Sequence, residues 1–139
     1  MNTNQKLNEL LENLNTSGRN IYVHAKDIEL VNAKFHSISE VLWENNESVK
    51  CLYTGELSHQ IDTVPTVVGP LLVAKLSEED LPFIRFHAGG KFPHFPVVYV
   101  TNHTPAELEK RSGKVVADEI LAETDVVDLD EDNYPRETA

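Results

Sequence analysis

The stretch NIYVHAKDIELVNAKFH, residues 20–36, decides the predicted fold class. Residues 20–24 alternate apolar side chains with hydrogen-bonding ones, as Ile21 does with Tyr22, and residues 31–36 show the same period of two. Successive side chains of a strand point to opposite faces of a sheet. The alternation therefore predicts two strands, each with one face in a core and the other in water.

Further strands are expected in the middle of the chain, where short apolar segments are separated by turn residues. Residues 37–44 fit either a helix or a strand. The following Asn45-Asn46 favours a hairpin, because Asn tolerates the positive φ that tight turns need. Short strands at close spacing predict a mainly antiparallel meander. The predicted segments are residues 49–54, 64–68, 71–76, 83–88 and 96–101.

Two helices are expected, one on each side of this β-rich region. Residues 4–15 carry four leucines at helical spacing with polar residues between them, which is typical of an amphipathic helix. The motif TPAE, residues 104–107, combines an N-cap, a proline at the first helical position and a Glu that can complete a capping box. Gly113 weakens this second helix, whose apolar side continues to about residue 123.

The length of 139 residues suits one domain with a hydrophobic core. The predicted fold class is α+β. It has an N-terminal amphipathic helix, a central mainly antiparallel sheet of five to seven strands, a C-terminal helix from Pro105, and an acidic tail. Residues 1–124 are predicted to form the domain, and residues 125–139 an acidic C-terminal extension.

Negative charge is concentrated near the C-terminus. Residues 104–139 hold 11 acidic and 4 basic side chains, a net charge of −7, whereas residues 1–103 hold 12 and 8, a net charge of −4. The acidic run, from Asp118 to Asp132, contains eight carboxylates and no Lys, Arg or His. A chain with a net charge of −11 repels phosphate backbones, so no direct nucleic-acid binding is expected.

The acidic run predicts a docking surface for a basic protein partner. Val126, Val127 and Leu129 lie among the carboxylates and would supply apolar anchors inside a charged rim. The competing interpretation is a solvated helix end followed by a solubilising tail, as most charge runs are. The candidate partner-binding residues are Asp118, Glu119, Glu123, Asp125, Asp128 and Asp130.

A second hypothesis is an enzyme or a small-anion-binding domain, built around a Gly-Gly turn at residues 89–90. Pairing of the strands on either side would bring Arg85 and His87 towards His94, for anion binding or proton transfer. The competing interpretation is a hairpin whose histidines lie at a solvent-exposed edge. The candidate pocket residues are Arg85, His87, Lys91, His94 and His103.

A third hypothesis is a self-associating structural or assembly protein. The leucine stripe of the N-terminal helix must dock on the domain itself or on a second copy. Docking within the chain is the simpler alternative, and a homodimer is the other. The residues of this stripe are Leu7, Leu10, Leu11 and Leu14.

The remaining motifs predict no metal site, no cofactor and no catalytic residue. Residues 128–133 match the first half of a calcium-binding EF-hand loop, but Ala139 stands where the closing Glu is needed. The single Cys51 excludes an internal disulfide and a Cys-based zinc site, and it is expected to pack in the core. The first residues lack an apolar signal region, and no apolar stretch is long enough to cross a membrane, which favours a cytoplasmic protein.

Overall fold

The structure, a computed structural model, describes residues 3–14, 19–45, 49–52, 71–77, 81, 97–122 and 124–130. These residues form four helices and five strands. In chain order they are α1 (Thr3–Glu12), β1 (Asn20–His24), α2 (Ile28–Asn45), β2 (Val49–Leu52), β3 (Leu71–Leu76), β4 (Val97–Thr101), α3 (Pro105–Ser112), α4 (Lys114–Ala122) and β5 (Thr124–Asp128).

All five strands belong to one sheet in the order β2-β3-β4-β1-β5, and every neighbouring pair is parallel. β1 lies between β4 and β5, where Tyr22 is aligned with Tyr99 on one side and with Val126 on the other. Because all strands run the same way, their carboxyl ends lie along one edge of the sheet. This carboxyl edge is where a ligand site is expected in an open α/β fold.

The prediction of a mainly antiparallel sheet in an α+β domain is therefore wrong, and the fold is α/β. The error began in residues 20–24, where the period of two was interpreted as a buried face alternating with a solvent-exposed face. All five residues of β1 are buried, including Tyr22 at 0 % and His24 at 8 % exposure. Parallel strands carry helices on both faces, so both of their side-chain sets are buried.

Residues 31–36, which the same alternation assigned to a strand, lie in α2. Their apolar positions continue at spacings of four and three, and that spacing places them on one side of a helix. Asp27 caps this helix, because its Oδ1 accepts the Glu29 N–H at 2.9 Å. The hairpin expected at Asn45-Asn46 is also wrong, since residues 37–44 lie in α2 and β2 pairs in parallel with β3. The buried residues of α2 are Val31, Phe35, Ile38, Ser39 and Leu42.

Helices α1 and α2 cover one face of the sheet. Ile21 and Val23 of β1 point into this layer, together with Val127 of β5. The predicted amphipathic helix is present as α1, and its stripe packs inside this core, with Leu10 partly buried at the border. A dimer through the stripe would first have to expose it. The buried leucines of the stripe are Leu7, Leu11 and Leu14.

Helices α3 and α4 cover the other face. Leu108 of α3 and Ile120 of α4 pack there against Tyr22 and Tyr99, whose rings lie 6.4 Å apart and tilted by 50°. The Tyr22 hydroxyl donates to the backbone carbonyl of His103 at 2.9 Å. The buried Tyr99 hydroxyl makes no hydrogen bond within the part of the chain that the structure describes. The domain thus has three layers, helices on both sides of a sheet.

The other predicted segments have mixed outcomes. The strands expected at 71–76 and 96–101 correspond to β3 and β4, and β2 occupies part of 49–54. The strands expected at 64–68 and 83–88 lie outside the described residues. The extension predicted from residue 125 begins inside β5, and Val127 and Leu129 are core residues. None of the helices that the structure describes is both long and apolar enough to cross a membrane.

Candidate functional site

The strongest topological feature of the carboxyl edge lies between β1 and β4. These strands are neighbours, yet β1 continues into α2 on one face and β4 continues into α3 on the other. Their connections therefore diverge at this edge, which is the kind of switch point at which open α/β sheets bind ligands. We call the region between these two strand ends the crevice. Three short segments surround it, namely residues 24–27, 101–104 and 128–130.

His24 ends β1 at this crevice. Its side chain is on the same face as Tyr22, with ring centroids 6.1 Å apart. Burial lowers the pKa of the His24 imidazole, and the carboxylates of Asp128, Asp130 and Glu107 oppose that shift. The imidazole thus lies within the field of three negative charges, whose effect on its pKa is outweighed by burial. No hydrogen bond to this imidazole is formed by any of the residues described.

Hydrogen bonds from Thr101, His103 and Thr104 fix the β4–α3 connection. The Thr101 hydroxyl donates to the Leu76 carbonyl at 3.0 Å and accepts the His103 N–H at 3.3 Å. Thr104 then caps α3, because its hydroxyl accepts the Glu107 N–H at 3.2 Å while Glu107 Oε1 accepts the Thr104 N–H at 3.3 Å. The capping box predicted from residues 104–107 is confirmed.

Glu107 links this cap to His103. Its Oε2 lies 2.8 Å from Nδ1 of His103. The hydrogen bond from His103 is the main reason that the pKa of Glu107 is lowered, and the bonds from Thr104 act in the same direction. Both carboxylate oxygens of Glu107 are therefore already engaged. Glu107 contributes negative charge to the crevice, but both of its oxygens are bonded to His103 and Thr104, just before α3.

The turn after β5 joins the crevice from the other side. Asp128 Oδ1 accepts the Asp130 N–H at 2.9 Å, and Asp130 Oδ2 accepts the Lys26 N–H at 2.7 Å. The Leu129 N–H donates to the His24 carbonyl at 2.9 Å. These bonds hold two half-buried carboxylates beside the end of β1. We call His24, Asp128 and Asp130 the carboxyl-edge site.

The carboxylates proposed from the acidic run do not form one surface. Asp125 lies on the α1 face of β5, where it contacts the Arg19 Nε at 3.3 Å, and strand alternation places Asp128 on the opposite face. Asp118 and Glu119 are exposed on α4, and Asp118 is 3.7 Å from the Lys114 ammonium. The sixth residue of the set, Glu123, is outside the described residues.

Two of the three apolar anchors expected inside the run are buried, and the third is partly buried. Val127 and Leu129 are buried in the core, and Val126 packs against the other core layer. An apolar side chain outside the predicted set is exposed instead. Val115 of α4 is 71 % exposed. Spacings of three and four residues place it on one side of the helix with Asp118 and Glu119. We call these three residues the α4 outer face.

The alternative pocket is almost entirely untested. Arg85, His87, Lys91 and His94 lie outside the residues that the structure describes, so the predicted anion or proton-transfer site stays a prediction. His103, the fifth residue of that set, lies instead at the carboxyl edge beside Glu107. Among the described residues, no group of three or more His, Cys, Asp or Glu side chains is placed to hold a metal ion.

His24 was missed by the sequence analysis, which assigned it to a wet strand face. A useful signal was present in NIYVHAKD, where an apolar segment ends in a polar residue and is followed within three residues by a helix N-cap, Asp27. That order is typical of a strand that enters a helix in an α/β unit. The residues that lie beside His24 at the crevice could be identified only from the order of the strands in the sheet, which the sequence alone did not provide.

No known protein family matches this chain, and no curated protein matches it either.

Proposed function

We propose that this protein is a small, acidic, non-enzymatic protein of the cytoplasm that binds a basic protein partner. Its role would be that of an inhibitor, an immunity or antitoxin-like protein, or a nucleic-acid mimic, since each of these captures a cationic groove by charge complementarity. The observation that carries the proposal is the α4 outer face, where an exposed Val115 lies beside Asp118 and Glu119.

The α4 outer face combines the two properties that a specific interface needs. Ala117 and Ile120 are buried against the sheet, so α4 is held rigidly and presents a fixed pattern of charge. The side chain of Asp118 is 61 % exposed, and its contact with the exposed Lys114 is weak, so its charge remains available. Val115 supplies an apolar contact between charged neighbours, as in the centre of a small interface.

The carboxylates of β5 and its turn have a secondary part in this proposal. Asp125, Asp128 and Asp130 each make a contact within the chain, which fixes them in place and leaves their charge at the surface edge. Asp128 and Asp130 add to a negative potential that steers a basic partner. Asp125 contributes less, because it lies on the α1 face of the sheet in contact with Arg19. Direct contact is assigned to α4, and long-range attraction to β5 and its turn.

The test uses the full-length chain as immobilised bait, beside two variants that change the net charge equally. Asp118→Asn/Glu119→Gln removes two charges from the α4 outer face. Glu9→Gln/Glu12→Gln removes two exposed charges from α1, on the opposite face of the sheet. A basic protein retained by the wild type and by the α1 variant, and lost with the α4 variant, supports the proposal. Equal retention by both variants contradicts it.

The structure also determines how the tail should be tested. A chain ending after residue 123 would lack β5, which pairs with β1 over its whole length, and would be expected to unfold. A chain ending after Asp130 keeps every described element. Retention of the same partner by this shorter chain is expected if α4 makes the contact. Loss of the partner would assign the binding to residues 131–139 instead.

A further inference from the structure

Strand β5 forms one edge of the sheet, because within the described residues it pairs only with β1. The Leu129 N–H donates to the His24 carbonyl, so residue 129 directs its backbone groups towards β1, and by alternation residues 127 and 125 do the same. The backbone groups of the residues between them point away from the sheet. We call these outward-facing groups the β5 edge, and they belong to Thr124, Val126 and Asp128.

A lysine already lies on the β5 edge. The Lys6 ammonium, carried by α1, donates to the Val126 carbonyl at 3.2 Å. This contact confirms that residue 126 faces outward, and it shows that a cationic donor fits at the edge. The Val126 and Asp128 N–H groups donate to none of the described residues. Strand edges with unpaired backbone groups pair readily with another extended chain, and a lysine placed there protects against such pairing.

Charge selects the occupant of this edge. A second copy of the chain would bring another net charge of −11, which opposes association. Asp125 and Asp128 lie three residues apart on β5, so strand alternation places one on each face of the sheet. An added strand with Lys or Arg opposite them would form cross-strand pairs of opposite charge, more strongly at Asp128 because Arg19 already contacts Asp125. A basic segment is therefore favoured over a second copy.

We propose that the β5 edge binds an extended basic segment as an additional strand, and that Lys6 occupies the Val126 carbonyl until the segment displaces it. The backbone of the segment supplies the hydrogen bonds and its basic side chains supply the charge pairing, as in strand addition at other sheet edges. This surface is distinct from the α4 outer face of the proposed docking. The evidence for it is the register of β5 and the contact of Lys6, neither of which depends on α4.

The probe is the peptide acetyl-TKVVKT-amide, which repeats the pattern of β5 with lysine in place of both aspartates. Its titration into the full-length protein is followed by nitrogen-15 NMR. Saturable downfield shifts of the Val126 and Asp128 amide protons are expected, with smaller shifts at Asp125 and Val127, which face β1. The same peptide N-methylated at both valines keeps the charge and loses backbone donors, so it should bind about tenfold more weakly. Equal binding of both peptides, or shifts that do not saturate, would show charge attraction only and would overturn the proposal.

The state of the edge and the choice of occupant are tested in the same protein. The peptide acetyl-TDVVDT-amide has the charge pattern of β5 itself, so it represents a second copy and should not bind. Binding as tight as that of the lysine peptide would assign the edge to self-association and overturn the proposal. Slow deuterium exchange of the Val126 and Asp128 amides in the protein alone would show that the edge is already paired, and would also overturn it.

Two matched variants test the role of Lys6. Lys6→Met removes the ammonium from the β5 edge, and Lys110→Met removes the same charge from the exposed side of α3, on the other face of the sheet. Lys6→Met should bind the lysine peptide about threefold to tenfold more tightly than the wild type, because one hydrogen bond no longer has to be displaced. Lys110→Met should bind as the wild type does, and equal affinities of the two variants would overturn the proposal. Asp118→Asn/Glu119→Gln should keep the wild-type affinity for this peptide, which separates the test from that of the proposed docking.

Discussion

Removing the hydroxyl oxygen from Tyr22 and from Tyr99 should change the stability of the protein in opposite directions. Both rings are fully buried in the layer beneath α3 and α4, and they lie 6.4 Å apart. Their hydroxyls differ in one respect. Tyr22 donates to the His103 carbonyl at 2.9 Å, whereas the Tyr99 hydroxyl has no partner among the described residues. The two substitutions to Phe are therefore a matched pair.

The expected magnitudes follow from this difference. Tyr22→Phe loses a hydrogen bond and leaves a carbonyl unpaired, so the free energy of unfolding should fall by about 1 to 2 kcal/mol. Tyr99→Phe removes a hydroxyl that was dehydrated without compensation, so the free energy of unfolding should rise by about 1 kcal/mol. With a urea m-value of roughly 2 kcal/mol/M, the unfolding midpoints should move by about 0.5 M or more, in opposite directions.

Equilibrium urea unfolding followed by far-ultraviolet circular dichroism measures both changes in the full-length protein. Equal m-values in the wild type and the variants would show that the midpoint shifts report stability. A loss of stability in Tyr99→Phe as large as that in Tyr22→Phe would refute the reasoning, since it would mean that the Tyr99 hydroxyl is hydrogen-bonded. A Tyr22→Phe variant as stable as the wild type would refute the assignment of the His103 contact.

Three further predictions concern the capping box and the pH dependence of stability. Thr104→Ala should lower the free energy of unfolding by about 1 kcal/mol in urea titrations, because it removes the acceptor for the Glu107 N–H, while Thr104→Ser should retain most of the stability. Burial raises the pKa of Tyr22 and Tyr99 above the usual 10.0. The stability that these side chains support is therefore complete below pH 10 and is lost above it, and tyrosinate absorbance should rise together with unfolding. Burial lowers the pKa of His24 below 6.5. Its contribution to the free energy of unfolding is therefore present above pH 6.5 and is lost as the pH falls through the folded-state pKa. His24→Gln should lose less stability on acidification than the wild type does.

Helix α3 could be predicted because its signal is local. The motif TPAE places the N-cap hydroxyl, the proline and the reciprocal Glu within four residues, and no distant contact is needed to form the cap. Helix α1 was likewise evident from the spacing of its leucines. In both cases the hydrogen bonds or the apolar stripe that define the element come from one short segment.

The sheet could not be predicted in the same way, because parallel pairing joins segments that are far apart in the chain. Residue 22 is aligned with residues 99 and 126, which is a matter of tertiary structure. The alternation in residues 31–36 was a coincidence over six positions, and a longer window would have shown the helical spacing from Val31 to Leu42. β5 was not predicted, because its few apolar residues are flanked by carboxylates and were assigned to the acidic run.

The candidate sites show the same division between local and long-range information. Asp118 and Glu119 could be chosen from charge alone, and a helical projection would have added Val115. His24 could not, because its importance depends on which strand ends meet at the carboxyl edge. The charges of Asp128 and Asp130 were evident, whereas the hydrogen bond from the Lys26 N–H to Asp130 depended on the register of β5 with β1.

The most direct test of the proposed function is the affinity of the purified basic partner measured at increasing salt concentration. For the wild type the affinity should fall steeply with salt, because exposed charges are screened over about 8 to 10 Å at moderate ionic strength. Asp118→Asn/Glu119→Gln should bind more weakly and with a shallower salt dependence, while Glu9→Gln/Glu12→Gln should follow the wild type. An affinity that is insensitive to salt, or that falls equally in both variants, would contradict the assignment of binding to the α4 outer face.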